Sequence, residues 1–195
     1  MDKILVIGAA GQIGSELILS LRKIYGNDNV VGSDKRSDLP AEILNTGPFK
    51  TLDVLNKDEM ASVCKKHGIN MIVNLAAILS AVGEQKPRLA WDVNMNGMMN
   101  VLDIALEMKM KQVFVPSSIA AFGPGTPLDM APQDTILRPT TMYGLTKVAG
   151  ELLGDYYVKR YGLDVRGVRF PGIISHATLP GGGTTDYAVA IYYDA

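Results

Sequence analysis

The chain has 195 residues, which is enough for one domain with a full hydrophobic core. Apolar residues make up 47% of it and charged residues 20%, as is ordinary for a soluble globular protein. Its formal net charge is −1 and the sequence shows no basic face, so we expect neither nucleic acid nor a membrane surface among its partners.

Short apolar runs alternate with longer amphipathic stretches along the chain. The apolar runs predict strands at residues 3–7, 29–32, 50–54, 70–74, 112–115 and 163–168. Apolar residues at helical spacing predict helices at residues 12–25, 56–66, 87–109 and 143–161. Asn56 is expected to cap the second of these helices, and Gly162 to end the last one. The alternation predicts the α/β class, with a Rossmann-type, doubly wound parallel sheet and helices on both of its faces.

A glycine-rich turn follows the first predicted strand and opens the first predicted helix. Glycine at such a turn permits a positive φ and lets the backbone approach a pyrophosphate. The N-terminus of the helix adds free N–H groups and a partial positive charge. We therefore expect this turn to bind the diphosphate of a dinucleotide, and the alternative is a glycine-rich turn without a ligand. The residues involved are Gly8, Gly11, Gln12, Ile13 and Gly14.

An aspartate, Asp34, ends the second predicted strand, 20 positions after Gly14. A carboxylate at this place hydrogen-bonds the ribose 2′-hydroxyl of NAD and repels the 2′-phosphate of NADP. We expect NAD to be the preferred cofactor, with the preference softened by the two cations that follow, Lys35 and Arg36. The alternative is an aspartate that only caps a helix or stabilises a turn.

Tyr143 and Lys147 form a YxxxK pattern at the start of the last predicted helix. Residues four apart share a helix face, so the lysine ammonium is expected beside the phenol. A nearby cation favours the phenolate and lowers a pKa that is otherwise about 10, so Tyr143 becomes a general base for an alcohol proton while hydride leaves to NAD. Ser118 lies just past the fifth predicted strand, and its hydroxyl would hold the substrate oxygen. For its neighbour Ser117 we favour an indirect or turn role.

Several segments resemble one family of enzymes. The GxxGxxG spacing of the glycine-rich turn, the YxxxK pair and the SSxxxxG segment at 117–123 are typical of the extended short-chain dehydrogenases/reductases, the NAD-dependent epimerase/dehydratase family. Within that group, the chain is most similar to the short-chain-type L-threonine 3-dehydrogenases, from Lys3 to its last residue. The segments that carry this closer resemblance are 75–84, 115–124, 138–144, 169–175 and 180–188, of which AILSAVGE at 77–84 and PGGGTTDYA at 180–188 are the most specific.

The resemblance implies NAD-dependent oxidation of the side-chain alcohol of L-threonine to 2-amino-3-ketobutyrate. One group of residues would face the substrate hydroxyl, and a second group, in a glycine-rich loop, would approach the amino-acid head. The first group is Ser80, Ser118 and Tyr143, and the second is Thr184, Thr185 and Asp186. A flexible loop that only caps a helix is the alternative for the second group.

The resemblance also implies further contacts with the cofactor. Asp53 and Val54, after the third predicted strand, would contact adenine. Asn94 would brace the active-site backbone or a water molecule near the lysine, and Pro171 would lie against the nicotinamide amide. Small residues after the fourth predicted strand would let the backbone pack against the cofactor. They form the segment Leu75, Ala76 and Ala77.

Proteins of this family continue well beyond the length of this chain. We expect residues 1–175 to form the NAD-binding domain with the catalytic Ser/Tyr/Lys set, and residues 176–195 to begin a small C-terminal substrate lobe that is otherwise largely absent. Two alternatives to an L-threonine dehydrogenase remain open. One is a nucleotide-sugar epimerase or dehydratase of the same fold, and the other is a catalytically weak NAD-binding fragment.

Three further expectations concern metals, location and assembly. Two histidines and one cysteine show no metal-ligand spacing, so no metal is expected. A single cysteine and the lack of a recognisable leader favour a cytoplasmic protein. The helices at 87–109 and 143–161 carry apolar residues on more than one face, which predicts a homodimer with a four-helix interface. The alternative is that the extra methionines only fill the core.

Overall fold

The central feature of the fold is a parallel sheet, seen in a computed structural model that describes residues 1–175 and 190–191. Within the described residues this sheet has six strands, and a second, smaller parallel sheet has two. The strands of the large sheet are β1 (Ile4–Ile7), β2 (Val30–Asp34), β3 (Phe49–Thr51), β4 (Met71–Asn74), β5 (Gln112–Phe114) and β7 (Val165–Arg166). Those of the small sheet are β6 (Ser117–Ser118) and β8 (Arg169–Phe170).

Helices connect these strands. They are α1 (Gln12–Tyr25), α2 (Ala41–Asn45), α3 (Lys57–His67), α4 (Ser80–Gln85), α5 (Pro87–Trp91), α6 (Gly97–Glu107) and α7 (Met142–Tyr161), with short 3₁₀ turns at Asn27–Asn29 and Ile119–Ala121. Both predicted helix ends are confirmed. The side chain of Asn56 accepts a hydrogen bond from the N–H of Glu59, and Gly162 ends α7 with a φ of 72°.

The strand order of the large sheet is β3-β2-β1-β4-β5-β7, and all its pairings are parallel. The chain builds outward from β1 in one direction through β2 and β3, and in the other through β4, β5 and β7. In such sheets the crevice where the order reverses, at the carboxyl ends of the strands, receives the ligand. The predicted Rossmann-type fold is confirmed, and the crevice lies beside the glycine-rich turn after β1.

Two hydrophobic layers enclose the large sheet. Alternate residues of β1 face opposite sides, because the side chains of a strand alternate. Ile4 and Val6 pack in the layer that contains α1 and α2, and Leu5 and Ile7 pack in the layer that contains α3, α6 and α7. All four side chains are buried. The helices therefore cover both faces of the sheet, as the apolar character of the strands predicts.

The predicted helix at 87–109 is one helical segment with an irregular centre. A π-helical turn, Asp92–Asn96, joins α5 to α6, and α6 ends at Glu107, two residues before the predicted end. Within the turn, Asn94 donates a hydrogen bond from Nδ2 to the Oγ1 of Thr146 on α7 at 3.0 Å. Turns of this kind are frequent at functional sites.

The strand predicted at 163–168 is present but shorter, because the chain leaves the large sheet after Arg166. β7 ends at Arg166 and pairs with β5, whereas β8 begins at Arg169 and pairs with β6. The step falls beside Pro116, which has no N–H to donate to a strand ladder. Gly167 allows a close approach at this place, since a Cβ there would lie 2.4 Å from the carbonyl oxygen of Val115.

Candidate active site

A cleft of about 420 Å³ opens at the carboxyl ends of the central strands. Its walls are the glycine-rich turn after β1, the loop after β4, the small sheet, the start of α7 and the segment that follows β8. The structure brings most of the sequence-predicted site residues together in it. Those that line it are Gly8, Gly11, Gln12, Ile13, Gly14, Leu75, Ala77, Ser80, Ser118, Tyr143, Lys147 and Pro171.

The glycine-rich turn has the shape that a diphosphate needs. Gly8 has a φ of +85°, and its N–H donates to the carbonyl oxygen of Ser33 at 2.8 Å. A Cβ on Gly14 would lie 2.1 Å from the carbonyl oxygen of Gly8, so only glycine lets α1 start this close to β1. No side chain in the described part of the chain caps α1, and its first turn holds no acidic residue. Free N–H groups at this helix end therefore face the cleft, and the turn fits the diphosphate of NAD.

Asp34 lies at the end of β2 and braces the glycine-rich turn. One carboxylate oxygen accepts the N–H of Ala10 at 2.9 Å, and the other accepts the N–H of Arg36 at 3.0 Å. The guanidinium of Arg36 donates to the carbonyl oxygen of Ala10 and lies 3.7 Å from Asp34. Each carboxylate oxygen has a further lone pair for a ribose hydroxyl. The carboxylate of Asp34 can therefore brace the glycine-rich turn and still accept a hydrogen bond from a ribose hydroxyl.

The segment proposed to contact adenine is already engaged with the protein. Asp53 accepts the N–H of Leu55 at 3.0 Å and lies 2.9 Å from the ammonium of Lys35. The hydrogen bond from Leu55 and the partnership with Lys35 lower the pKa of this carboxyl. The side chain of Val54 is buried against Gly97 of α6, so the backbone of 53–54 is the part left for a cofactor contact.

Tyr143 and Lys147 lie on the first two turns of α7. The Nζ of Lys147 is 5.3 Å from the centroid of the Tyr143 ring and donates to the carbonyl oxygen of Pro116 at 2.7 Å. Two contacts fix the start of α7: the Oγ1 of Thr141 accepts the N–H of Gly144 at 3.0 Å, and the carboxylate of Glu84 accepts the N–H of Met142 at 2.6 Å. Because Tyr143 and Lys147 are four residues apart on this helix, the lysine and the phenol share one helix face.

The electrostatics of this pair differ from the sequence-based expectation. Burial raises the pKa of the Tyr143 phenol above its usual value, and a hydrogen bond with Ser118 opposes that rise. Burial also lowers the pKa of Lys147 to about 8, although the negative charge of Glu151 acts in the other direction and raises it. The expected lowering of the phenol pKa by the lysine is therefore not found in this structure, because desolvation dominates for both groups.

Two adjacent serines in β6 point to different partners. Ser118 lines the cleft, accepts the N–H of Ala120 at 3.2 Å and hydrogen-bonds the phenol of Tyr143. Ser117 is buried and donates its hydroxyl hydrogen bond to the carboxylate of Glu151. Successive side chains of a strand face opposite sides, so Ser118 faces Tyr143 in the cleft while Ser117 turns to Glu151.

Asn94 joins the loop after β4 to α7. Its side-chain oxygen accepts the N–H of Ile78 at 2.7 Å, and its Nδ2 donates to the carbonyl oxygen of Ile78 at 3.1 Å as well as to Thr146. It lines a neighbouring cavity of about 510 Å³, together with Ala76 and Lys147. Asn94 therefore braces the backbone beside the lysine rather than lining the cleft itself.

The remaining predicted substrate residues divide into two groups. Ser80 is buried at the start of α4 and lines the cleft together with Ser118 and Tyr143. The second group lies outside the residues that the structure describes. It consists of Thr184, Thr185 and Asp186.

Several residues at the site escaped the sequence analysis. Gly144, inside the YxxxK pattern, allows α7 to touch the turn after Ser118, since a Cβ there would lie 2.3 Å from the carbonyl oxygen of Ala120. Glu151 continues the four-residue spacing of Tyr143 and Lys147, and that spacing is a signal available in the sequence. No local pattern indicates its partner on β8.

Within 1–175 and 190–191, no group of three or more His, Cys, Asp or Glu side chains is placed to hold a metal ion. In the same part of the chain, no helix combines the length and the apolar character that a membrane span requires.

Comparisons with known proteins place these features in context. The profile of the NAD dependent epimerase/dehydratase family matches residues 4–187. An uncharacterized epimerase/dehydratase of Staphylococcus haemolyticus is 52% identical over 195 residues, which are 100% of this chain and 61% of that protein. The structure of an L-threonine dehydrogenase from Clostridium difficile has a TM-score of 0.94 and 55% identity, and the match covers 100% of this chain and 61% of the other.

A second solved structure is similar to the same extent. The holo form of a GalE-like L-threonine dehydrogenase from Cupriavidus necator has a TM-score of 0.93 and 49% identity, and the match covers 98% of this chain and 61% of the other. The chain thus spans 61% of the length of each of these relatives.

Proposed function

The chain belongs to the NAD dependent epimerase/dehydratase family, and on that premise we propose that the protein oxidises the side-chain alcohol of L-threonine to 2-amino-3-ketobutyrate with NAD. The observation that carries the proposal is the meeting of Ser118, Tyr143 and Lys147 with the glycine-rich turn in one cleft. The similarity to solved L-threonine dehydrogenases, at TM-scores of 0.94 and 0.93, supports the choice of substrate.

The mechanism assigns one task to each side chain. The hydroxyl of Ser118 holds the substrate oxygen, and the phenolate of Tyr143 takes the proton of the substrate alcohol. When bound, NAD supplies the hydride acceptor and a positive charge that favours the phenolate. Lys147, in its ammonium form, adds a second charge beside the phenol, and its hydrogen bond to the carbonyl oxygen of Pro116 holds it there.

The cofactor and the substrate would occupy different parts of the cleft. The diphosphate would lie on the N-terminus of α1, and Pro171 against the nicotinamide. Ser80 would approach the substrate hydroxyl beside Ser118. The amino-acid head would meet Thr184, Thr185 and Asp186. In this assignment residues 1–175 form the NAD-binding domain, and residues 176–195 begin the substrate lobe.

The decisive experiment measures NADH formation with L-threonine and analyses a panel of UDP-sugars for conversion to other sugars, because epimerases and dehydratases return the hydride to their substrate and release no net NADH. Formation of NADH with L-threonine, and no conversion of the UDP-sugars, is the expected result. Turnover of a UDP-sugar alone would assign the protein to the nucleotide-sugar enzymes of the same family. NAD binding without turnover of any substrate would identify a catalytically weak NAD-binding fragment.

We predict that the protein prefers NAD over NADP, because the carboxylate of Asp34 stands at the end of β2 and repels a 2′-phosphate. Replacing Asp34 with alanine should weaken NAD binding and narrow the difference in affinity between NAD and NADP. The reason is that Arg36 would then face the ribose without its acidic partner. Calorimetric titration of both cofactors measures this. Equal affinities in the unmodified protein would contradict the prediction.

We also propose a homodimer formed by α7 and by the helical segment of α5 and α6. Part of the apolar surface of these helices is core, since Met98 and Leu102 are buried, but Met99 on α6 is 38% exposed. On α7, Leu152 is 65% and Tyr156 51% exposed, four residues apart on one face. A symmetric pairing would cover these faces. Sedimentation of the purified protein at micromolar concentration tests this, and a single monomeric species would contradict it.

A further inference from the structure

Glu151 occupies a central place between three elements of the active site. It lies on α7, two helical turns after Tyr143 and one after Lys147. Its carboxylate accepts two hydrogen bonds from the guanidinium of Arg169, at 2.8 and 2.7 Å, and a third from the hydroxyl of Ser117. The two charged side chains are 23% and 15% exposed, so water screens the pair only partly.

These contacts reach both strands of the small sheet. Ser117 is in β6 and Arg169 is in β8, and the two residues are directly paired in the register of the sheet. The next residue of β6 is Ser118, and the next two after Arg169 are Phe170 and Pro171, which line the cleft. One carboxylate on α7 therefore ties down the two strands that bring a serine and a proline to the cofactor and substrate cleft.

Glu151 also acts on Lys147 through its charge. Burial lowers the pKa of Lys147 to about 8, and the negative charge of Glu151 opposes that fall. Burial would raise the pKa of Glu151 itself, but hydrogen bonds from Arg169 and Ser117 lower it, so the carboxylate is ionised. The other charged groups around the cavity beside Lys147 are Asp134, Asp155, Arg166 and Arg169, and Tyr143 faces the lysine from the cleft side.

We propose that Glu151 is a positioning residue of this active site: it clamps β6 and β8 onto α7 and keeps Lys147 charged beside Tyr143. The inference rests on the proposed function in giving Lys147 a role in catalysis. It adds a residue that touches neither the cofactor nor the reacting atoms. It also gives the four-residue spacing from Tyr143 through Lys147 to Glu151 a physical meaning, since one helix face carries the base, its cation and the carboxylate that holds the small sheet against them.

Two substitutions separate the hydrogen bonds that Glu151 makes to the small sheet from the effect of its negative charge on Lys147. Glu151→Gln removes the negative charge and keeps the size of the side chain. Glu151→Asp keeps the charge but shortens the reach to Arg169. The matched control is Asp155→Asn, which removes a carboxylate one turn further along α7. Thermal unfolding of each variant establishes that it is folded before any other measurement.

The first readout needs no turnover. Lysine labelled with ¹³C at Cε reports the titration of Lys147 by NMR, and Lys147→Arg identifies its signal. In Glu151→Gln the midpoint should move to lower pH by roughly half a unit or more, because an opposite charge that favours the ammonium is gone. In Glu151→Asp and Asp155→Asn the midpoint should stay within experimental error of the unmodified protein. An unmoved midpoint in folded Glu151→Gln would overturn the proposal, whatever its activity.

The second readout is the pH profile of NADH formation with L-threonine. In Glu151→Gln the inflection of the profile that reports the lysine should move to lower pH in step with the lysine midpoint, and kcat should fall by roughly tenfold or more while the KM for NAD changes little. Glu151→Asp should keep the pH profile but share the loss in kcat. Unchanged kcat in both variants would also overturn the proposal. If the unmodified protein turns over no L-threonine, the proposed function fails, and the lysine titration still decides the role of Glu151.

Discussion

Replacing Tyr143 with phenylalanine should lower NADH formation from L-threonine by roughly 10²–10⁴-fold and leave the affinity for NAD within about a factor of two. The phenol is the group in the cleft that combines a hydrogen bond with Ser118 and a lysine ammonium 5.3 Å from its ring centroid. Phenylalanine keeps the ring in this half-buried position but removes the atom that takes the proton. The glycine-rich turn, which would hold the diphosphate, is built from a different part of the chain.

The pH dependence of the unmodified protein provides a check on the same assignment. A base acts in its deprotonated form, and burial raises the pKa of the Tyr143 phenol, so activity should rise with pH on the acidic side. Lys147 acts in its protonated form and has a pKa of about 8, below that of the phenol, so above pH 8 the loss of ammonium offsets the gain of phenolate; activity should level off there and fall only above the pKa of the phenol. The expected profile is a bell, and its acidic limb should disappear in what remains of the Tyr143→Phe activity.

A matched control for this substitution is Tyr156→Phe on the same helix. The ring of Tyr156 is 51% exposed and contacts Tyr157 and Tyr161, away from the cleft. Loss of the Tyr156 hydroxyl should leave turnover unchanged. Initial rates and NAD titrations are compared for the unmodified protein and the two variants, Tyr143→Phe and Tyr156→Phe. Near-normal turnover by Tyr143→Phe would remove Tyr143 from the mechanism.

Replacing Gly14 with alanine should both destabilise the protein and weaken NAD binding by at least about tenfold. The added Cβ would lie 2.1 Å from the carbonyl oxygen of Gly8 and 2.8 Å from the Cα of Ala9, and both are backbone atoms that cannot rotate away. The start of α1 must then move off the turn after β1. Overpacking of this kind typically costs about 1–3 kcal/mol of folding free energy. The same displacement takes the N–H groups of the helix away from the diphosphate.

The control for the glycine substitution is Gly83→Ala on α4. A Cβ there would meet its nearest atoms at 3.6 and 3.9 Å, which are ordinary contacts, and alanine favours a helix more than glycine does. Gly83→Ala should therefore keep the melting temperature and NAD affinity. Calorimetric titration with NAD and thermal unfolding are the measurements. If Gly14→Ala binds NAD as tightly as the unmodified protein does, the diphosphate does not lie on the start of α1.

Much of the fold follows from short-range patterns that the sequence carries on its own. Buried parallel strands read as apolar runs, and the helices between them show apolar residues at helical spacing. The cap at Asn56 and the end at Gly162 depend on the chemistry of one residue and its near neighbours. The short helices α2 and α4 escaped prediction, because five or six residues are too few to establish a period.

The candidate site likewise combines features that short-range patterns indicate with contacts that they do not. The glycine-rich turn and the YxxxK pair are each contained within a few consecutive residues, so the amino-acid sequence alone is enough to indicate their chemistry. The clamp on the small sheet joins residues 117, 151 and 169, and the brace of Asn94 on Ile78 spans 16 positions. No local pattern specifies partners at such separations.

The sequence by itself determined the class of fold, the place of the glycine-rich turn and the placement of Tyr143 and Lys147 on one helix face, because each of these is encoded in spacing along a single strand, turn or helix. The tertiary structure alone decided that Ser117 pairs with Glu151, and where the chain leaves the large sheet for the small one after Arg166. It also placed Arg22 of α1, which is buried and donates to the carbonyl oxygens of Val30, Ile43 and Pro48. The physical reason is that a buried polar group must find its partners among whatever the closed chain brings near it, and those partners exist only once distant segments have packed together.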